Sequence, residues 1–322
     1  MKIRLIFGFI FLSVVGLKAQ STLPIYSDYL SDNVYLIHPA AAGIGNCGKI
    51  RFTYRKQWSG VDNPPSLQTL SFHTRITDKM AVGLIGFNDE NGYHSQKGLL
   101  GTYAYHLNFG SEEALNQLSF GLSFMYVQNA VDQSGFISND PVISQIVESS
   151  NYFNAEFGLG YHNMDFFSYF TIKNLLLTAQ DQTTSSYESL NLRRYLLTLG
   201  YYMGRGNSVQ FEPSVMMQFI EYTKEAFIDL NFKAYMNIGT KSQIWAALSY
   251  RQNFDSHELE SFKQITPIVG VNYKRFMFSY TYSSQVGDVV IDGGGNHQLT
   301  LGFNVFCNKQ RATGCPNVSS FY

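Results

Sequence analysis

QLTLGFNVF, residues 298–306, alternates between apolar side chains and polar or small ones. Leu299, Leu301, Phe303 and Val305 fall on one face of an extended chain, and the intervening residues fall on the other. Successive side chains of a β-strand point to opposite sides of the sheet, so the stretch predicts a strand with one apolar face and one polar face.

The same period of two recurs along the chain, for example in FMFSYTYS at 276–283 and in 118–124. Fourteen segments of this kind can be counted, an even number, as single-chain bacterial barrels have. The predicted strands are 49–58, 66–76, 79–88, 97–109, 116–129, 153–163, 166–174, 193–203, 207–220, 225–237, 242–253, 263–273, 275–284 and 296–306.

The predicted connections alternate between long polar segments, such as 130–152 and 175–192, and tight turns, such as 164–165. Bacterial membrane barrels sort their connections in this way, with short periplasmic turns and longer outer loops. A secreted soluble β-sandwich is the alternative, but a sandwich has no physical reason to alternate long and short connections. The sequence therefore predicts an all-β fold, a transmembrane antiparallel β-barrel of about fourteen strands in the outer membrane.

Composition agrees with a membrane barrel. Charged residues make up 15% of the chain and aromatic residues 16%, whereas soluble domains carry about 25% charged residues. Beyond the N-terminus no segment reaches the roughly 18 uninterrupted apolar residues of a membrane helix. The net charge of −1 argues against a nucleic-acid-binding surface, which would be basic.

The two ends suggest a division of the chain. Lys2 and Arg4 precede the apolar run 5–17, and Ala19 suits a signal peptidase, which predicts a signal peptide at 1–19. Residues 20–48 would form a periplasmic arm or a plug in the barrel mouth, and 49–306 the barrel. The polar tail, 307–322, would lie in the periplasm, as a docking handle or a disordered end.

Two features of the predicted strands need a structural explanation. Pro213 and Pro267 fall inside them, where the missing N–H would mark a bulge or a misplaced strand boundary. Charged residues on the polar faces would line the lumen as a network, and filling a wet interior explains them better than catalysis does. They are Glu156, Glu212, Asp229, Arg51, Arg55 and Lys233.

The sequence contains Cys47, Cys307 and Cys315. The two that flank the C-terminal tail, Cys307 and Cys315, are the candidate disulfide in an oxidising compartment. A link from Cys47 to either is also reasonable, because both chain ends should emerge on the periplasmic side.

No motif for catalysis, a metal or a cofactor is present. The seven histidines show no His-Glu-x-x-His spacing, Gly293–Gly295 is not followed by Lys-Ser/Thr, and there is no Gly-x-Ser-x-Gly. We therefore expect no catalytic residues, no metal ligands and no cofactor.

Four short pieces after the signal peptide carry a resemblance: YSDY at 26–29, HPAAAG at 38–43, RKQWSG at 55–60 and NPPSLQT at 63–69. In this order they resemble the PorP/SprF family of type IX secretion membrane proteins, although His38 stands where the family usually has Asn. The matching positions are Tyr26, Tyr29, His38, Pro39, Ala40, Gly43, Arg55, Gln57, Trp58, Gly60, Pro64, Gln68 and Thr69.

The resemblance implies a non-enzymatic role in exporting or anchoring a cell-surface protein, often a gliding adhesin with a C-terminal sorting domain. The implied partners are that protein, periplasmic ring lipoproteins of the export machine and outer-membrane lipid. The alternative is a diffusive transporter for small apolar molecules, and an outer-membrane enzyme is a third possibility. On strand one, Arg55 and Gln57 would face the lumen and Trp58 the outer interface.

Overall fold

The computed structural model describes residues 29–57, 64–109, 115–132, 134, 147–176, 193–204, 206–221, 224–239, 242–254, 262–286 and 295–307. Within these ranges the chain forms fourteen β-strands preceded by two short 3₁₀ turns, Val34–Leu36 and Pro39–Ala41. Among the described residues no helix has the length and apolar character needed to cross a membrane.

The strands are numbered in chain order. They are β1 Gly48–Gln57, β2 Ser66–Arg75, β3 Met80–Asn91, β4 His94–Asn108, β5 Asn116–Asp132, β6 Val147–Asn163, β7 Phe166–Lys173, β8 Arg194–Tyr201, β9 Val209–Ile220, β10 Ala226–Asn237, β11 Ser242–Asn253, β12 Lys263–Tyr273, β13 Phe276–Gln285 and β14 Asn296–Val305.

Each strand pairs antiparallel with the next, and β1 pairs with β14 to close the sheet into a barrel. The closing register places Gly48 opposite Val305 at one end of the seam and Gln57 opposite Asn296 at the other. Closure leaves no unpaired sheet edge along this seam. The predicted fourteen-stranded antiparallel barrel is confirmed.

Side chains alternate across the wall as the sequence pattern requires. On β1, Arg51, Thr53 and Arg55 are buried, while Phe52 and Tyr54 are 41% and 38% exposed. Large apolar residues are exposed along the other strands as well, which in an outer-membrane barrel is the surface that meets lipid. The buried positions face inward and are largely polar.

Several strands run further than predicted. Strand β5 continues to Asp132 and β6 begins at Val147, so the connection predicted at 130–152 shortens to 133–146. Strands β3 and β4 are joined by Gly92 and Tyr93 alone. In these added parts of the strands the outward residues are mostly polar. The strands were predicted from outward apolar residues, so the prediction stopped where those residues end.

The two prolines lie inside strands β9 and β12. Neither marks a bulge, and neither marks the end of the strand that contains it. Pro267 is opposite Leu248 of β11, and the β12–β13 pairing keeps one offset on both sides of it, from Ile265 opposite Ser284 to Ile268 opposite Thr281. Pro213 is opposite Phe232 of β10. Each missing N–H therefore interrupts a ladder on one side without shifting the register.

The predicted pairing of Cys307 with Cys315 is wrong, because the structure joins Cys307 to Cys47. Cys47 directly precedes β1 and Cys307 follows the end of β14. The register between these strands brings the two cysteines together, with their Cα atoms 4.2 Å apart. Cys315 lies outside the described residues, as does the predicted signal peptide at 1–19.

Candidate functional site inside the barrel

Residues 29–47, here called the inner segment, lie against the inward face of the sheet. The turn at Pro39–Ala41 contacts β4, β5 and β6. Apolar residues of the segment, such as Leu36 and Ala40, join inward-facing residues of the strands in one buried cluster. Polar residues of the segment, including Asn33 and His38, are buried as well. Buried polar groups need hydrogen-bond partners, and the barrel wall supplies partners to Asn33 Nδ2 and to both ring nitrogens of His38.

Side chains near the start of the segment reach widely separated strands. Asn231 of β10 donates to the Tyr29 hydroxyl at 2.6 Å, and Asn33 donates to Ser71 of β2 at 2.9 Å. A further hydrogen bond joins the Tyr35 hydroxyl to Thr102 of β4, at 2.7 Å. These contacts tie the segment to opposite sides of the barrel.

His38 occupies a polar site between β7 and β8. Its Nδ1 atom lies 2.7 Å from Oγ1 of Thr171, and its Nε2 atom lies 2.8 Å from Oγ1 of Thr198. The ring stacks on Tyr169 with centroids 5.0 Å apart. A hydroxyl can donate or accept, so both neutral tautomers fit. Burial, helped by the nearby Lys173 ammonium, lowers the pKa of His38 to about 3, so the ring is neutral near pH 7.

Pro39 and Ala40 pack against glycines of the wall. A Cβ atom on Gly121 of β5 would lie 2.3 Å from the Pro39 carbonyl carbon, and one on Gly158 of β6 would lie 2.9 Å from Pro39 Cγ. Both distances are shorter than a normal contact between carbon atoms. The missing side chains of these inward glycines thus provide the space that the 38–40 stretch occupies.

Gly43 ends the turn in a conformation that other residues rarely adopt. Its φ angle is +73°, and a Cβ atom there would meet the Cβ of Ala81 at 2.3 Å. Its N–H donates to Nδ1 of His73 at 2.9 Å, and its carbonyl accepts from Nε of Arg75 at 3.0 Å. Conformation and space therefore require glycine at this position, and its two backbone hydrogen bonds hold the turn against β2.

An acidic residue of the inner segment forms ion pairs with two basic residues near the start of β1. Asp32 accepts from Lys49 at 3.0 Å and from Arg51 at 2.8 Å, and Arg51 also donates to Asn304 of β14 at 3.0 Å. Burial alone would raise the pKa of Asp32, but Lys49, Arg51 and the nearby Lys233 outweigh it and hold this pKa well below its usual range. Asp32 is therefore an anion that links the segment to the closing seam.

The inner wall carries the predicted charges, mostly in pairs. Lys173 contacts Glu156 at 3.2 Å, and Arg251 contacts Asp229 at 2.6 and 2.7 Å. Tyr235 donates to Glu212. The Lys233 ammonium donates to the Leu30 carbonyl at 3.0 Å and lies 4.1 Å from the ring centroid of Trp245. These cations are thus held by acids, carbonyls or aromatic faces. In the described ranges no three His, Cys, Asp or Glu residues converge as metal ligands.

Residues 18–303 match the model of a family described as type IX secretion system membrane protein PorP/SprF. The chain belongs to the PorP/SprF family. It is accordingly an outer-membrane component of the type IX secretion system. A search of curated protein sequences found no match.

Solved structures that resemble this PorP/SprF protein are outer-membrane β-barrels. The Ralstonia pickettii toluene transporter TbuX aligns with a TM-score of 0.49 and 8% identity, over 85% of this chain and 93% of its own. The monoaromatic hydrocarbon channel CymD aligns with 0.46 and 10%, over 84% and 90%. BamA from Haemophilus ducreyi gives 0.43 and 10%, over 80% and 70%. Similarity at this level concerns the fold alone.

The structure separates the PorP/SprF motif positions into groups. Tyr29, His38, Pro39, Ala40 and Gly43 lie in the inner segment, as described above. Arg55 and Thr69 are buried on the inward face, whereas Gln68 is exposed on the outward face. Gln57 is the last residue of β1, and its N–H donates to the Pro65 carbonyl at 2.9 Å, next to Pro64. Tyr26, Trp58 and Gly60 lie outside the described residues.

Sequence reasoning missed the wall partners of the inner segment. Thr102, Thr171 and Thr198 carry no local signal, because polar residues at inward positions are ordinary in a barrel. Gly121 and Gly158 are the residues from which the contact could have been predicted. Glycine in the interior of a strand often marks the close approach of another backbone.

Proposed function

We propose that this PorP/SprF protein is a non-enzymatic component of the type IX system that binds a cell-surface protein and helps to export or anchor it. The proposed client is of the gliding-adhesin type and carries a C-terminal sorting domain. Periplasmic ring lipoproteins of the export machine are the second proposed partner. Recognition, without chemical turnover, is the proposed activity.

The observation that carries this proposal is the occupied interior. Contacts from the inner segment reach β2, β4, β7, β8 and β10. We infer that the inner segment is a plug, and that a client would bind at the rims of the barrel, through its outer loops, or through the terminal segments. A client strand that entered the lumen would have to displace side chains that are already buried.

The cost of such displacement supports binding at the rims. A neutral hydrogen bond inside a protein contributes about 0.5–1.5 kcal/mol, and a buried group left without its partner costs about 1–3 kcal/mol. Withdrawing the plug would expose the wall partners of Tyr29, Asn33, Tyr35 and His38 together. In addition, the plug is tied to the closing seam by the disulfide from Cys47 to Cys307.

The state of the inner carboxylates supports a non-enzymatic role. Glu156 and Asp229 are buried against Lys173 and Arg251 respectively. A catalytic acid or base must reach a substrate proton. These two carboxylates instead form buried ion pairs on the inner wall. Their arrangement fits charge compensation inside a barrel.

Affinity isolation from outer membranes tests the proposal. The tagged full chain would be solubilised gently after brief cross-linking, and co-purifying proteins would be identified by mass spectrometry. A barrel of similar size with the same tag, from the same cells, serves as the control. We expect enrichment of a large surface protein with a C-terminal sorting domain, or of ring lipoproteins, over the control.

Recovery of the barrel alone would contradict the binding role. Planar-bilayer recording then identifies the alternative, because a diffusive transporter would give steady conductance from the unmodified protein. The plug predicts a silent trace.

A further inference from the structure

The outward face at the closing seam changes character in three successive rows. In the first row Phe278, Leu301, Phe52 and Leu70 are neighbours on β13, β14, β1 and β2. These four side chains are 41–54% exposed. Such a row belongs to the apolar band of a membrane barrel.

The next row is amphipathic, and the third is made of hydrogen-bond donors. The middle row contains Tyr280, Leu299, Tyr54 and Gln68, again as cross-strand neighbours. The third row contains Tyr282, His297, Lys56 and Ser66. Tyrosines mark the membrane–water interface in barrels, so this third row, here called the donor row, lies where lipid headgroups begin.

The donor row lies at the outer end of the barrel. Strand β1 begins beside the disulfide, at the end where the tight turns 164–165 and 274–275 lie. It finishes at the end that carries the longest connections, 133–146 and 174–193, together with the two-residue β3–β4 turn. Longer connections are extracellular in bacterial barrels. The lipid at this level therefore belongs to the outer leaflet, which in this membrane is a phosphorylated glycolipid.

The geometry of His297 supports an anion at this place. Its Nδ1 atom lies 2.7 Å from the Tyr280 hydroxyl, and its ring lies 5.2 Å from that of Tyr282. When Tyr280 donates to Nδ1, the Nε2 atom carries the proton and becomes a donor. Lys56 lies directly opposite on β1, and directly opposed side chains in an antiparallel pair have Cβ atoms about 5 Å apart.

Lys56 makes no hydrogen bond or ion pair within the part of the chain that the structure describes. Glu90 is the carboxylate facing this region on β3, next to Ser66. It accepts from Asn88 at 3.0 Å and lies two strands from Lys56, about 10 Å at the usual strand spacing. The Lys56 ammonium is thus exposed beside two further donors, His297 and Ser66.

We propose that the donor row binds a phosphate group of an outer-leaflet glycolipid, with Lys56 as its cation and His297 and Ser66 as hydrogen-bond donors. The acyl chains of the same lipid would lie along the apolar row below. Phosphate offers several strong acceptor oxygens, which suits donors arriving from three adjacent strands. The site depends on the outer-membrane location and not on the proposed client.

Native mass spectrometry of the full chain in detergent tests the site. The probe is bisphosphorylated lipid A, compared with the same lipid after removal of both phosphates. We expect Lys56→Gln to reduce the fraction of protein carrying lipid A about five-fold, the effect of one cation at an anionic lipid surface. The matched control is Lys97→Gln, since Lys97 is another exposed lysine on the outer half of the barrel.

Three results would overturn the site. One is equal loss in the Lys56→Gln and Lys97→Gln variants, which indicates unspecific charge attraction. Another is undiminished binding of the dephosphorylated lipid. The third is displacement of lipid A by millimolar inorganic phosphate, which indicates a free-anion site. Heat-dependent mobility on SDS gels shows whether each variant retains the folded barrel, and a His297→Gln variant provides a second measurement if Lys56→Gln fails to fold.

Discussion

The Nε2 atom of His38 lies 2.8 Å from the Oγ1 atom of Thr198. This contact joins a residue near the start of the chain to the eighth strand, and a second contact from the same ring reaches Thr171 of β7. His38 thus anchors the inner segment to β7 and β8. Its replacement measures how much these two contacts contribute to stability.

Replacing His38 with Leu removes both hydrogen bonds and leaves two threonine hydroxyls facing an apolar side chain. We expect the free energy of unfolding to fall by about 2–6 kcal/mol, since each of the two lost buried partners costs about 1–3 kcal/mol. Urea unfolding in detergent, followed by tryptophan fluorescence, measures the change. His94→Leu is the control, because His94 is exposed near the outer rim. Equal stability of both variants would contradict the assigned role of His38.

The pH dependence of stability provides a separate test of the same residue. Burial, with a contribution from Lys173, lowers the pKa of His38 from 6.5 to about 3. Between these values the unfolded chain takes up a proton that the folded protein does not, so stability falls as the pH falls through this window. From pH 7 to pH 5 the loss due to His38 should be about 2 kcal/mol.

A His38→Asn variant isolates that loss, because asparagine does not titrate. The difference in stability between the natural protein and the variant should shrink as the pH falls from 7 to 5. Parallel curves across this range would mean that His38 is accessible to protons in the folded state.

Gly121 tests the close fit between the plug and the wall. A leucine there would overlap the Pro39 backbone, and we expect expulsion of the plug or a loss of about 1–3 kcal/mol from overpacking. If the plug is expelled, chymotrypsin should cleave at Tyr29 or Tyr35, which are buried in the natural protein. The reconstituted variant should also conduct ions.

Gly101→Leu is the matched control on the neighbouring strand. A Cβ atom at Gly101 has no heavy atom within 4 Å among the described surroundings, so this variant should stay resistant and silent. Resistance of Gly121→Leu to chymotrypsin would show that the plug tolerates the added volume.

The disulfide makes a prediction about cysteine substitutions. Cys47→Ser and Cys307→Ser should each destabilise the barrel by about 2–4 kcal/mol, the usual effect of removing a long-range crosslink. Cys315→Ser should leave stability unchanged. Denaturation in SDS without reductant, compared with reductant, reports the crosslink as a faster-migrating band. A crosslinked band that survives in Cys47→Ser but disappears in Cys315→Ser would contradict the pairing in the structure.

Much of the barrel was predictable because strand alternation is a local property. Leu299 and Leu301 identify the outward face of β14 within a few residues, and fourteen such segments match the even strand number of single-chain bacterial barrels. The partner of Cys307 was not predictable in this way, because its proximity to Cys47 exists only after β1 has paired with β14. Thr171 and Thr198 likewise meet His38 only in the closed barrel.

The covalent bond between Cys47 and Cys307 also has a mechanical meaning. Tension applied between Cys47 and Cys307 would run through the sulfur bridge and bypass the fourteen strands that lie between them in the chain. Without the bridge, the same pull would act on the β1–β14 seam at its end and unzip its hydrogen bonds one after another. Load that reaches Cys47 and Cys307 is therefore carried by the covalent bridge and not by the hydrogen bonds of the β1–β14 seam.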